Sequence, residues 1–330
     1  MSSTHASFAP FGRTSRAARY HRRHPVVLSR EVRPAAVGDG MAVLLVLFAA
    51  ACFVGMTSTA KYLSADYSTV QIVWGRYLAH FLIVLALLGT RLPEVLHPDR
   101  PATQLARSLV MFAATATAFL ALRYLPLAEV AAIMFLTPIF VTALAALALG
   151  EAVGLRRWSA VGIGFLGALI ITRPGFEAVH PAVFSAIVCA VSYALYQIMT
   201  RVVGDTAPPL VSLFYSCLVG TVVSSLAVPF FWQTPDLQGW ILLGVSGAFG
   251  AVGHLAMIGA LARAPASFVT PFTYSQLIWA TLIGFWLFGD LPDLWTYVGA
   301  ALIAGSGLYV LHRERVRRSR PSKPLPSPEG

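Results

Sequence analysis

Ten apolar runs separated by short polar breaks set the pattern of this chain: roughly 40–61, 68–90, 106–123, 128–149, 157–173, 181–202, 208–231, 238–261, 266–288 and 294–311. Each approaches the ~20 residues that an α-helix needs to cross ~30 Å of hydrocarbon. The breaks are a few residues long except at 91–105 and 174–180, so successive helices are antiparallel neighbours with no soluble domain inserted. The pattern predicts an all-α membrane protein of ten transmembrane helices, since a helix satisfies its backbone polar groups within its own segment in lipid.

The runs also repeat. Ala121 aligns with Ala260, Pro126 with Pro265, Gly150 with Gly289, Glu151 with Asp290 and Trp158 with Tyr297, a constant offset of 139 positions. The same offset, give or take one residue, sets Lys61 opposite Arg201. A unit this long is no solenoid repeat; it is half of a duplicated membrane protein. The expected organisation is a first repeat of five helices at 39–173 and a second at 181–311. Basic tails at 1–38 and 312–330 flank them, the first read as a disordered cytoplasmic segment or a targeting leader. Because five is odd, the second repeat must cross the bilayer in the opposite sense. Inverted repeats of this kind build transporters whose halves exchange conformation around a central site.

Composition narrows the class. Of 330 residues, 57% are apolar and only 12% charged, whereas a soluble domain carries about a quarter charged. The net charge of +10 does not point to nucleic acid, because the basic residues sit in tails and short loops. With the N-terminus inside, 20 of the 24 Lys and Arg fall on the inner side, Lys61, Arg123 and Arg173 on the outer, and Arg76 within a helix. That bias predicts both termini in the cytoplasm, a place in the inner membrane and contact with anionic lipid. Cys52, Cys189 and Cys217 lie inside apolar runs without metal-ligand spacing and are read as packing residues.

Few residues are available for chemistry. Arg76 lies about eight residues into its helix, where a charge costs at least ~2.5–3.5 kcal/mol. Such a residue faces a cavity or a partner, and Glu129, at comparable depth, is the partner expected if the pair is structural. Lys61 is near the same membrane face. His80 shares the face of Arg76 one turn on, and could titrate to carry a coupled proton or simply pack. His254, in the glycine-rich 238–261 run, carries the same two readings. Tyr193, Tyr196 and Gln197 make one polar-aromatic face, Tyr274, Ser275 and Gln276 interrupt another run, and Trp74 and Tyr77 flank Arg76. Aromatic walls with a few polar groups suit a flat small-molecule substrate. Pro138 and Pro271 are expected to kink their helices. Gly162, Gly164 and Gly167 spell a dinucleotide-type glycine fingerprint, but inside an apolar span with no preceding strand they are read as helix-packing glycines. No phosphate-binding loop, protease or esterase motif is present, and no cofactor, metal or catalytic residue is expected.

These features resemble the EamA type of the drug/metabolite transporter superfamily. The residues that carry the likeness are the helix-end Lys61, VWGRY with Arg76, LRYLPLAEVAAIMFLTPIF, LGE ending at Glu151, and the later ALARAPAS and LFGD. The resemblance implies ten helices, a cavity open to one side at a time and gradient-driven transport. TAKYL and VQIVWGRY are most similar to the bacterial branch that moves riboflavin, S-adenosylmethionine or metallophores, with riboflavin uptake the leading expectation. An exporter of amino acids, drugs or a metallophore is the alternative within the class. A lipid-modifying membrane enzyme or a non-transporting scaffold is the alternative outside it, and pairing of two copies is left open.

Overall fold

The computed structural model describes residues 40–96, 98, 100–149, 155–172, 180–203, 209–264 and 269–318. The tail expected at 1–38, the Gly150–Glu151 corner and Pro265 lie outside these residues.

All regular structure among the described residues is helical. The helices are α1 (Gly40–Leu63), α2 (Thr69–Leu88), α3 (Pro101–Leu122), α4 (Leu127–Met134), α5 (Thr137–Leu149), α6 (Leu155–Thr172), α7 (Ala182–Val203), α8 (Pro209–Ala227), α9 (Leu237–Leu261), α10 (Ser275–Ile283) and α11 (Leu294–Arg318); a single turn, Leu92–Val95, follows α2. Seven spans, with α4 and α5 counted together, are long and apolar enough to cross a membrane. Three shorter apolar helices, at Gly162–Ile171, Phe272–Phe288 and Leu294–Ser306, supply the rest of the expected ten.

Local chemistry sets the boundaries. Ser68 caps α2 by accepting from the Gln71 amide, and Asp236 caps α9 by accepting from the Gly239 amide at 2.7 Å. Pro101 opens α3, where its missing N–H is no loss. The helix therefore starts five residues before the apolar run does, and Gln104 is helical rather than part of a loop. Pro138 likewise does not kink a continuous helix. The chain turns at Phe135–Leu136, and Pro138 falls in the first turn of α5. In the second repeat the corresponding helix is also discontinuous. A 3-10 segment (Thr270–Tyr274) containing Pro271 leads into α10, and a π turn (Gly284–Phe288) leaves it through Gly289 at φ 71°, a left-handed position that favours glycine. The last helix continues to Arg318, so part of the segment expected as a tail is helical.

Packing follows a two-fold exchange between the halves. α1 lies along α9, and α7 along α3; α2 packs on α9, and α8 on α3; α10 rests on α1, as α4 and α5 rest on α7. The pairs α2–α8, α4–α10 and α6–α11 are their own counterparts. A Cβ on Gly167 would come within 2.7 Å of the Gly299 carbonyl oxygen, and one on Gly299 within 2.5 Å of that of Gly167. The glycine fingerprint therefore serves close approach of α6 and α11.

Candidate transport site

Arg76, His80 and His254 converge where α2 meets α1 and α9. Arg76 is 2% exposed. Its Nε donates to the Met56 thioether (3.1 Å), its Nη1 to the Thr115 hydroxyl (3.4 Å), and its guanidinium lies 4.4 Å from the centre of the Tyr77 ring. Tyr77 donates to the same Thr115 oxygen at 2.9 Å, which orients the hydroxyl. Of the five donors on a guanidinium, hydrogen bonds to described residues thus occupy two, one of them on sulfur, a weak acceptor. Among the described residues the hydrogen bonds and the ring contact of Arg76 are to neutral groups rather than to Glu129, the partner expected. Glu129 is instead half-buried in the first turn of α4, where a carboxylate favours the helix dipole.

The histidines extend the cluster. The rings of His80 and His254 are 5.4 Å apart, that of His254 packs edge-on against Phe53 at 4.9 Å, and His254 Nδ1 donates to the Gly250 carbonyl at 2.8 Å. His80 is 1% exposed, with neither ring nitrogen hydrogen-bonded among the described residues. Gly250 makes the convergence possible. A side chain there would crowd Met56 Sδ (3.2 Å) and His80 Nδ1 (3.4 Å).

Lys61 belongs to a different contact. At the end of α1 its ammonium pairs with Asp290 at 3.0 Å, donates to the Leu125 carbonyl at 3.0 Å and lies 5.2 Å from the centre of the Phe288 ring. This ion pair ties the first repeat to the second. Both side chains are partly exposed, which limits the strength of the pair. Reversing either charge, Lys61→Glu or Asp290→Lys, is expected to slow transport by about threefold to tenfold, and the double reversal to recover much of the loss. Initial rates of the four proteins check this; a double variant no faster than the slower single would exclude the pair as the interaction that matters.

The remaining candidates are spread out. Trp74 donates to the Ser225 hydroxyl at 3.0 Å and meets Trp232 at 5.4 Å and Trp240 at 6.3 Å, an aromatic group near helix ends rather than beside Arg76. Tyr193 stacks on Tyr196 at 5.9 Å. Tyr274 packs edge-on against Phe135 at 4.7 Å. Gln197 and Gln276 are half-buried on α7 and α10. Sequence reasoning passed over Met56 and Thr115, ordinary residues for an apolar helix. It also passed over Gln104 and Arg107, which are buried on α3; Pro101 as a helix-opening signal would have found these two.

The model of the EamA-like transporter family matches this chain twice, over residues 40–173 and 180–311. The chain belongs to the EamA-like transporter family. It is accordingly a multi-pass membrane transporter with a small-molecule substrate, not an enzyme. An S-adenosylmethionine uptake transporter of Rickettsia bellii is 25% identical over 261 residues, covering 79% of this chain and 90% of the relative. A riboflavin transporter of Vibrio cholerae is 29% identical over 284 residues, covering 84% and 95%. A solved crystal structure at 19% identity superposes with a TM-score of 0.60, over 85% of this chain and 99% of its own, a likeness of fold alone.

Proposed function

We propose that this EamA-family transporter takes up riboflavin across the cytoplasmic membrane, with Arg76 at the centre of its site. The observation that carries the reading is the sign of the buried charge. Among the described residues the fully buried charged side chains are Arg76 and Arg107, and no carboxylate is buried with them. Such an interior suits a neutral molecule rich in carbonyl acceptors, which is what the ring edge of a flavin offers to a guanidinium. It opposes a net cation. S-adenosylmethionine carries a sulfonium and an ammonium against one carboxylate, and burying them beside Arg76 is unfavourable. The Vibrio cholerae riboflavin transporter supports the first cargo; the Rickettsia bellii S-adenosylmethionine uptake transporter makes that molecule the second reading. His80, facing His254, is the position at which a coupled proton would be held, and the distribution of Lys and Arg supports cytoplasmic termini.

Expression of the chain in a riboflavin auxotroph is expected to restore growth at low external riboflavin. A protonophore should suppress the uptake if it is proton-coupled. Absence of rescue with the protein present in the membrane rejects riboflavin. Labelled S-adenosylmethionine uptake that riboflavin does not inhibit establishes the second reading instead.

A further inference from the structure

A second buried cation lies outside the Arg76 cluster, where α3 meets α7 and α8. Arg107 is 1% exposed and Gln104, one turn before it on the same face, is also 1% exposed. Arg107 donates through Nη1 to the Thr200 hydroxyl (3.3 Å) and through Nη2 to the Ser212 carbonyl (3.0 Å), and its guanidinium lies 5.1 Å from the centre of the Tyr196 ring. These acceptors are neutral. Arg107 Nε and both amide atoms of Gln104 are buried with no hydrogen-bond partner among the described residues. More than about 90% of buried polar groups in native proteins have a partner, so three orphaned atoms on two residues one turn apart describe a place built for something more than packing.

Its location gives it meaning. The α3–α7–α8 junction is the two-fold counterpart of the α9–α1–α2 junction that holds Arg76, His80 and His254. Arg76 is seven residues past the start of α2 and Arg107 six past the start of α3, and these two starts are at opposite membrane faces. At 1.5 Å per residue each arginine is ~10 Å along its helix from that start, Arg76 from one face and Arg107 from the other. α3 links them, because Thr115, the Arg76 partner, is eight residues along the helix from Arg107, a rise of ~12 Å.

We propose that Arg107 and Gln104 form a second station on the transport path, which binds an oxyanion, a carboxylate or a phosphate, on the side of the membrane opposite Arg76. The guanidinium meets the anion's charge, the Gln104 amide donates to a further oxygen, and the station opens when the two halves exchange conformation. This rests on the chain being a transporter and not on which molecule it carries. The oxyanion is either part of the cargo or a separate ion moved with it.

The test uses the full chain in lipid nanodiscs, with the thermal midpoint read against sodium phosphate, sodium acetate and, at matched ionic strength, sodium chloride. Phosphate or acetate is expected to raise the midpoint saturably above the chloride control, and which of the two does so identifies the anion. Arg107→Gln should abolish the shift. Gln104→Leu, which keeps the arginine and near-constant volume, should weaken the half-saturating concentration by about tenfold. Arg76→Gln should leave it within about twofold. No shift in the unmodified protein overturns the proposal, as does a shift that survives both α3 substitutions or disappears in Arg76→Gln. Because the probes are simple anions, failure here leaves the riboflavin reading standing, and failure of riboflavin rescue leaves this one standing. Inhibition of transport by the winning anion at its half-saturating concentration, lost in Gln104→Leu, would show that it shares the cargo's site; stimulation would show a co-transported ion.

Discussion

Arg76→Ala is expected to bring transport to background while the protein still inserts and folds. The guanidinium is dehydrated within its span, at a cost of at least ~2.5–3.5 kcal/mol. What it gains in return is a thioether, a hydroxyl at 3.4 Å and one aromatic face. None of these is a charge, so the residue contributes little to stability and its removal leaves no opposing ion stranded. A substrate acceptor meeting a buried guanidinium is another matter. Truncating one partner of such a contact costs ~2–5 kcal/mol, roughly 30-fold to several thousand-fold in affinity. Arg76→Lys keeps the charge and loses the planar fork, and should fall between the two. Initial uptake rates, normalised to membrane-inserted protein, check the series. A rate for Arg76→Ala within twofold of the unmodified protein would remove Arg76 from the site.

Much of the architecture was legible because lipid simplifies the code. Ten runs of near-constant length and a repeated Pro, Gly and acid at one offset are enough to give the span number and the duplication. What the pattern could not give is which polar residues meet across helices. Lys61 finds Asp290 because a π turn and the left-handed Gly289 bring a residue of the other repeat to the end of α1. Nothing local to Lys61 points there. Arg107 was hidden for the opposite reason. Gln104 and Arg107 lower the hydropathy of the first turns of α3, so the apolar run starts only at 106 with Arg107 at its polar edge, although the helix starts at Pro101. Trp74 shows the limit of depth arguments. It is two residues from Arg76, about 200° around the helix at 3.6 residues per turn, and so turns toward Trp232 and Trp240 instead.

Gly247→Val is expected to abolish transport and to lower the thermal midpoint together, the reverse of the Arg76→Ala signature. A Cβ at this position would lie 2.5 Å from Ala79 Cβ, 2.7 Å from the Arg76 carbonyl oxygen and 2.8 Å from the His80 amide nitrogen. Two of these three are backbone atoms of α2, which cannot rotate away. In lipid, helices associate through close backbone approach at small residues, with little hydrophobic drive to compensate for its loss. Valine adds two further methyl groups to a space that does not admit one carbon, and overpacking costs ~1–3 kcal/mol even where side chains can yield. α9 must therefore move off α2 at the level of Arg76 and His80, carrying Gly250 and His254 with it and opening the cluster. Gly244, one turn earlier on α9 and with nothing within 4 Å of a built Cβ, is the internal control. Gly244→Ala should keep full activity and gain up to about 1 kcal/mol from helix propensity. Wild-type rates and midpoint in Gly247→Val would mean that α2 and α9 are further apart in the working transporter than here, and the assignment of Arg76, His80 and His254 to one site would fall with that contact.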